Sequence, residues 1–216
     1  MRAGPWQRLV RFGFRLLYNE LAFTYDTVSY VVSLGAWRCW QRAALKHLDV
    51  PTAGPVLELA HGTGDLQLDL HALGYSAVGV DLSPYMGRIA QRKLRCHGVP
   101  ARLVRARAQR LPFAAGTFAA VVCTFPTEFI FAPETLREVA RVLRAGGRLV
   151  IVPVGLFAER GAVEAGLEWA YRLTGQRGGG PEDVSQLFAR CGFTAVLTQE
   201  DCPRSRAQVI VARKMA

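Results

Sequence analysis

VLELAHGTGDL, residues 56–66, runs from a short apolar stretch into a glycine loop and directly on into a helical pattern. A strand that turns on Gly62 and Gly64 into a helix sets backbone N–H groups and a helix N-terminus at the carboxyl edge of a sheet. Glycine lets the chain turn sharply there and approach a ligand with no Cβ in the way. Outward from this stretch, further apolar runs follow: AVGVDL (77–82), ARLVRA (101–106), FAAVVCTF (118–125) and RLVIVPV (148–154). Helical stretches near 65–73, 84–96 and 133–144 separate them. Strands alternating with helices predict a parallel sheet covered on both faces. ARLVRA is the least apolar run and is expected at an edge. The closing runs GFTAVLTQE and SRAQVIVARK, joined by a short turn, predict a hairpin. Ahead of them a helical stretch near 157–173, the turn GQRGGGPEDV and a short helix to Arg190 are expected. The segment 5–48 reads as helical, with Trp6, Leu9, Val10, Phe14 and Leu17 near one face.

Asp81 ends the second apolar run, 17 to 19 residues beyond Gly64 and Gly62. A carboxylate at that spacing is placed to accept hydrogen bonds from the hydroxyls of a ribose. The loop departs from the dinucleotide pattern, because Asp65 follows its last glycine and Glu58 lies on the strand before it. Those acids would repel a pyrophosphate and suit a cationic ligand, such as a sulfonium with an α-amino group.

With these residues in place, VLELAHGTG, GVDLSP, AQRLPFAAGTFAAVV and LRAGGRLVIV, taken in order over residues 55–154, resemble the successive motifs of class I S-adenosylmethionine-dependent methyltransferases. The resemblance implies an α/β fold: a Rossmann-like seven-stranded sheet with an antiparallel last strand and helices on both faces. It divides the chain into an N-terminal helical extension or lid, 1–48, and a methyltransferase domain, 49–216. It further implies S-adenosylmethionine as cofactor and assigns places around it. Glu58 orders the loop and the methionine amino group, and Ala60, Gly62 and Gly64 line the methionine portion. Asp81 takes the ribose, Leu82 lies beside the adenine, Ala108 and Gln109 flank its edge, and Thr124 faces the cofactor near the methyl group. Arg107 stands where relatives commonly carry an aspartate that accepts from the adenine amino group, a bond arginine cannot accept. Backbone contacts at Ala108 suffice, or affinity is reduced, or the site has degenerated; the sequence leaves these open.

AFTYDTVSYVVSLGAWRCWQRA, residues 22–43, is similar to the entry segment of ubiquinone and menaquinone biosynthesis C-methyltransferases, through Tyr25, Asp26, Ser33, Leu34, Gly35, Arg38 and Trp40. That likeness implies a segment folded over the cofactor, with Tyr25 among the cofactor-binding residues, and a small, lipophilic, quinol- or phenol-like acceptor. Methyl transfer from a sulfonium is an in-line displacement, so alignment and exclusion of water are the main demands. A phenolic acceptor also needs a base or a cation for its oxyanion. His61, Tyr25, Glu128 and Arg38 are candidates, and the spacing elects none as catalytic.

The chain carries a formal net charge of +10, and no Asp or Glu occurs between Asp81 and Glu128 while eight Arg and Lys crowd residues 88–110. That favours an anionic contact without choosing one. An RNA methyltransferase using this basic flank and a non-catalytic binding protein are the alternatives. TFPTEF after the fourth strand (124–129) differs from the Asn-Pro-Pro-aromatic signature of amino-group methyltransferases and counts against nucleic acid. Five scattered cysteines without a CxxC pair suggest neither a disulfide framework nor a metal site, and so a reducing, cytoplasmic compartment. No stretch reaches the roughly 20 apolar residues of a membrane span, whereas residues 1–17, aromatic and arginine-bearing, are expected to permit peripheral membrane contact.

Overall fold

A computed structural model describes residues 12–13, 15–49, 54–157 and 181–215. Seven strands form one sheet in the order β3-β2-β1-β4-β5-β7-β6. They are β1 (Val56–Leu59), β2 (Ala77–Asp81), β3 (Leu103–Arg105), β4 (Phe118–Thr124), β5 (Leu143–Phe157), β6 (Phe193–Cys202) and β7 (Ser205–Lys214). The first five pair in parallel, and β7 lies antiparallel to both β5 and β6. This is the Rossmann-like arrangement expected, with β3 at one edge. The order of the strands reverses direction at β1 and β4, so their carboxyl ends open the crevice in which α/β sheets take ligands.

Central strands are buried on both faces, as their continuous apolar runs require. Leu57, Leu59, Val121, Leu149 and Ile151 pack with Leu136 and Val139 on one side. Val56, Ala120, Val122 and Val150 pack with Leu66, Leu70 and Trp40 on the other. The helices are α1 (Tyr25–Val32), α2 (Trp37–Ala43), α3 (Asp65–Ala72), α4 (Pro84–Cys96), α5 (Pro133–Val142) and α6 (Pro181–Arg190). The helix α4 begins as its sequence prescribes: Ser83 caps it by accepting from the Met86 N–H, and proline occupies the first turn.

Two expectations need correction. RLVIVPV is the middle of a longer strand, because β5 starts at Leu143, passes a register irregularity, and is prolonged to Phe157 by pairing with β7. Cys39 in α2 and Cys202 at the end of β6, with Cα atoms 6.0 Å apart, form a disulfide; Cys96, Cys123 and Cys191 remain thiols. The odd count and wide scatter concealed a pair that only the tertiary fold brings together, so the cysteines no longer argue for a reducing compartment. The helical stretch expected near 157–173, most of the glycine-rich turn and most of residues 1–17 lie outside the described residues.

Candidate functional site

Beyond β1 the loop is built on left-handed backbone: Ala60, Gly62 and Gly64 have φ of 55°, 54° and 88°. Ala60 adopts without glycine a conformation that costs a side-chain-bearing residue of order 1 kcal/mol or more. Gly64, which caps α3, meets a second constraint, since a Cβ there would come within 2.9 Å of Ala90 on α4. The loop is then pinned from β2. Asp81 accepts from the Gly62 N–H at 3.0 Å through one carboxylate oxygen and from the Ser83 N–H at 2.8 Å through the other.

A cavity of about 590 Å³ opens above this loop. Tyr25, Ala60, Gly62, Asp81, Leu82, Ala108, Gln109 and Thr124 all line it, as does Arg107. Glu58 and Gly64 stand behind the wall and do not line it. Glu58, 1% exposed, accepts from Gln67 Nε2 at 2.6 Å. Burial, with Asp81 and Asp65 nearby, pushes its carboxyl up to about 8 even though the Gln67 bond opposes the rise.

The cavity is also lined by aromatic rings, those of Tyr18, Tyr25, Phe125 and Phe129. Phe125, itself at φ 49°, stacks on Trp37 with ring centroids 3.8 Å apart, and the Tyr18 and Tyr25 rings lie 5.9 Å apart. Tyr18, Phe125 and Phe129 escaped the sequence reading. Phe125 and Phe129 are both carried by TFPTEF, four residues apart, whereas no pattern marks Tyr18.

Of the four candidates for a base or an oxyanion-holding cation, one lines the cavity. His61, 5% exposed, turns away from it: Nδ1 lies 2.9 Å from the Gly62 carbonyl, and the ring fills the space left by Gly79, where a Cβ would meet its Cδ2 at 2.9 Å. With a carbonyl as partner, Nδ1 carries the proton, and burial holds the imidazole below its ordinary pKa and so neutral. Arg38 is committed to Asp69 at 2.7 Å, and Glu128 does not line the cavity. Tyr25 does, but burial raises its phenol far above the usual tyrosine range. It is a hydrogen-bond donor at any ordinary pH.

Arg15, Tyr18, Asn19 and Tyr25 close one side of the cavity, and the segment that continues from Tyr25 to residue 43 is clamped down by charge. Asp26 accepts from Thr63 Oγ1 of the loop at 2.6 Å, and Lys93 of α4 bridges Asp26 and Asp65, 2.8 Å from each. Arg38 and Arg42 of α2 share Asp69 of α3. Trp40 drives the docking: it is 1% exposed, its Nε1 donates to Ser205 Oγ at 3.0 Å, and its indole fills the space over Gly155.

Residues 56–147 match a sequence family described as a methyltransferase domain. The chain is 39% identical over 139 residues to a demethylmenaquinone methyltransferase of Thermus thermophilus, covering 63% of each. It is 33% identical over 142 residues to a ubiquinone/menaquinone biosynthesis C-methyltransferase of Geotalea uraniireducens, covering 63% of this chain and 60% of that one. The matches thus span somewhat less than two thirds of those relatives' own length. In fold the chain is similar to a geranyl diphosphate methyltransferase solved with S-adenosylmethionine, with a TM-score of 0.63 at 17% identity over 82% of this chain and 85% of that one. A geranyl diphosphate C-methyltransferase from Streptomyces coelicolor gives 0.64 at 13% identity over 83% and 77%.

Proposed function

We propose that this chain, whose residues 56–147 match a methyltransferase domain, carries out an S-adenosylmethionine-dependent transfer of a methyl group to a small, lipophilic acceptor of the quinol or phenol type. What carries the reading is the mixed lining of the cavity: the Asp81 carboxylate and the glycine-built loop at Ala60 and Gly62, together with the aromatic rings of Tyr18, Tyr25, Phe125 and Phe129. The donor set suits the cofactor. Asp81 offers carboxylate oxygens to the ribose beside its two backbone bonds, left-handed Ala60 and Gly62 bring bare backbone to the methionine portion, and Glu58 places an acid behind it. Leu82 and Ala108 pack on the adenine. Gln109 supplies the amide acceptor that Arg107 cannot, and Thr124, at the end of β4, faces the methyl group.

When bound, S-adenosylmethionine supplies an electrophilic methyl. The protein aligns the acceptor against it and keeps water out. Phe125 and Phe129 hold a planar ring by offset or edge contacts. Tyr25, a permanent donor, holds an acceptor oxygen without taking its proton. A lipophilic acceptor resides in membranes, and peripheral membrane contact belongs to the same proposal; among the described residues no helix is long and apolar enough to cross one.

The test is calorimetric titration of S-adenosylhomocysteine into the protein and into Asp81→Ala. Micromolar binding is expected, weakened at least about tenfold by loss of charge-assisted bonds of about 1.5–3 kcal/mol each. Equal affinity in both proteins, or none in either, rules the reading out. Incubation with quinols and mass spectrometry for an added methyl then identifies the acceptor.

A further inference from the structure

The polarity of α1 is reversed. It buries its serines, Ser29 at 4% exposure and Ser33 just beyond its end at 0%, and turns its large apolar residues outward. Val28, Tyr30, Val31 and Leu34 are all exposed, Tyr30 at 66% and Val31 at 60%. Val28 and Val31 lie three residues apart in the helix, Tyr30 stands beside Val31, and Leu34 follows just beyond the helix end, so the four cover a broad exposed side of the segment. Phe23, in the turn before α1, adds a phenyl ring exposed at 74%. Leu34 keeps an exposed leucine at φ 50°, where glycine or asparagine would sit at lower cost. A helix that met only water would carry the opposite pattern.

The helix next to α1 has a cationic outer side. It is α4, whose Lys93 reaches Asp26 of α1. The exposed Arg88, Arg92 and Arg95 stand at four- and three-residue steps along α4, which contains no acid. Apolar side chains edged by arginines are the composition of a surface that lies in the headgroup region of a membrane. Two copies meeting face to face would bring the same arginines together, and a nucleic acid could stack only on Phe23 and Tyr30, leaving the aliphatic Val28, Val31 and Leu34 without a partner.

We propose that the outer face of α1 with Phe23, flanked by Arg88, Arg92 and Arg95, docks on an anionic lipid bilayer. The proposal rests on the reading above only for its purpose, delivery of a lipophilic acceptor to a cavity that the same segment covers. Docking itself requires no turnover.

Co-sedimentation with vesicles of phosphatidylcholine alone and of phosphatidylcholine mixed with phosphatidylglycerol tests it. The wild type is expected to pellet with the mixed vesicles. The variant Phe23→Ser/Tyr30→Ser/Val31→Ser, all at exposed positions, is expected to partition at least about tenfold less. Arg88→Gln/Arg92→Gln is expected to lose the preference for anionic lipid. The proposal falls if the wild type stays in the supernatant, if the serine variant pellets like the wild type, or if sedimentation velocity finds a wild-type dimer that the serine variant makes monomeric. Circular dichroism of each variant checks that it is folded. Titration of S-adenosylhomocysteine into the same preparations separates the two ideas, since vesicle binding without cofactor binding sinks the activity and leaves the docking face standing.

Discussion

Unfolding the chain with Cys39 and Cys202 joined, and again with both replaced by serine, measures what the cross-link contributes. The bond spans a sequence separation of 163. The entropy removed from the unfolded chain by closing so large a ring corresponds to about 5 kcal/mol at 25 °C. Disulfides usually deliver part of that figure, so a loss of about 2–5 kcal/mol is expected, against a total stability of about 5–15 kcal/mol for a domain. In urea, that lowers the midpoint by about 1–2 M for a chain of this size. Cys39 lies in α2, between the Trp37 that stacks on Phe125 and the Arg42 that holds Asp69, so the loss should be accompanied by faster proteolysis within residues 25–43. Thiol titration in denaturant without reductant should find three reactive cysteines, Cys96, Cys123 and Cys191. Five reactive thiols, or a midpoint unmoved in the double serine variant, would refute the reasoning.

Two further substitutions probe the clamp and the loop. Gly155→Ala places a methyl group where the Trp40 indole lies; overpacking of about 1–3 kcal/mol is expected, with cofactor affinity falling as residues 25–43 lift, and an unchanged Tm and affinity would show that Trp40 docks elsewhere. Glu58 binds its proton more tightly when folded than when unfolded, its carboxyl rising from 4.5 to about 8. Its contribution is therefore fully present below pH 4.5 and lost as pH rises through 8, and Glu58→Gln should remove a decline of more than about 1 kcal/mol across that window. Parallel pH profiles for the two proteins would mean that the buried carboxyl is not the group responsible.

How far the sequence carries can be followed along the chain. The parallel strands β1, β2 and β4 are legible because burial on both faces leaves uninterrupted apolar runs that glycines close. The ends of β5 are not, since Leu143 and Phe157 become strand only by pairing with Phe118 and Ser205, and no local pattern announces a distant partner. Within the cavity the same division holds. Asp81 follows from its distance to the loop, whereas Tyr18 and the pair Phe125 and Phe129 come from distant segments with no spacing to join them. His61 was a reasonable candidate by position, but sequence does not tell which way a ring turns. The room that Gly79 leaves decides it.

The docking of Trp40 on Gly155 and Ser205 also has a consequence in time. A ribosome adds about 5–20 residues per second, and Ser205 is made 165 residues after Trp40. For about 8–33 seconds the indole has no finished seat, because β7, which slides between β5 and β6, does not yet exist. A segment that emerges ahead of the sheet thus settles only after the sheet is complete, and its valines and aromatics stay open to other chains for that interval.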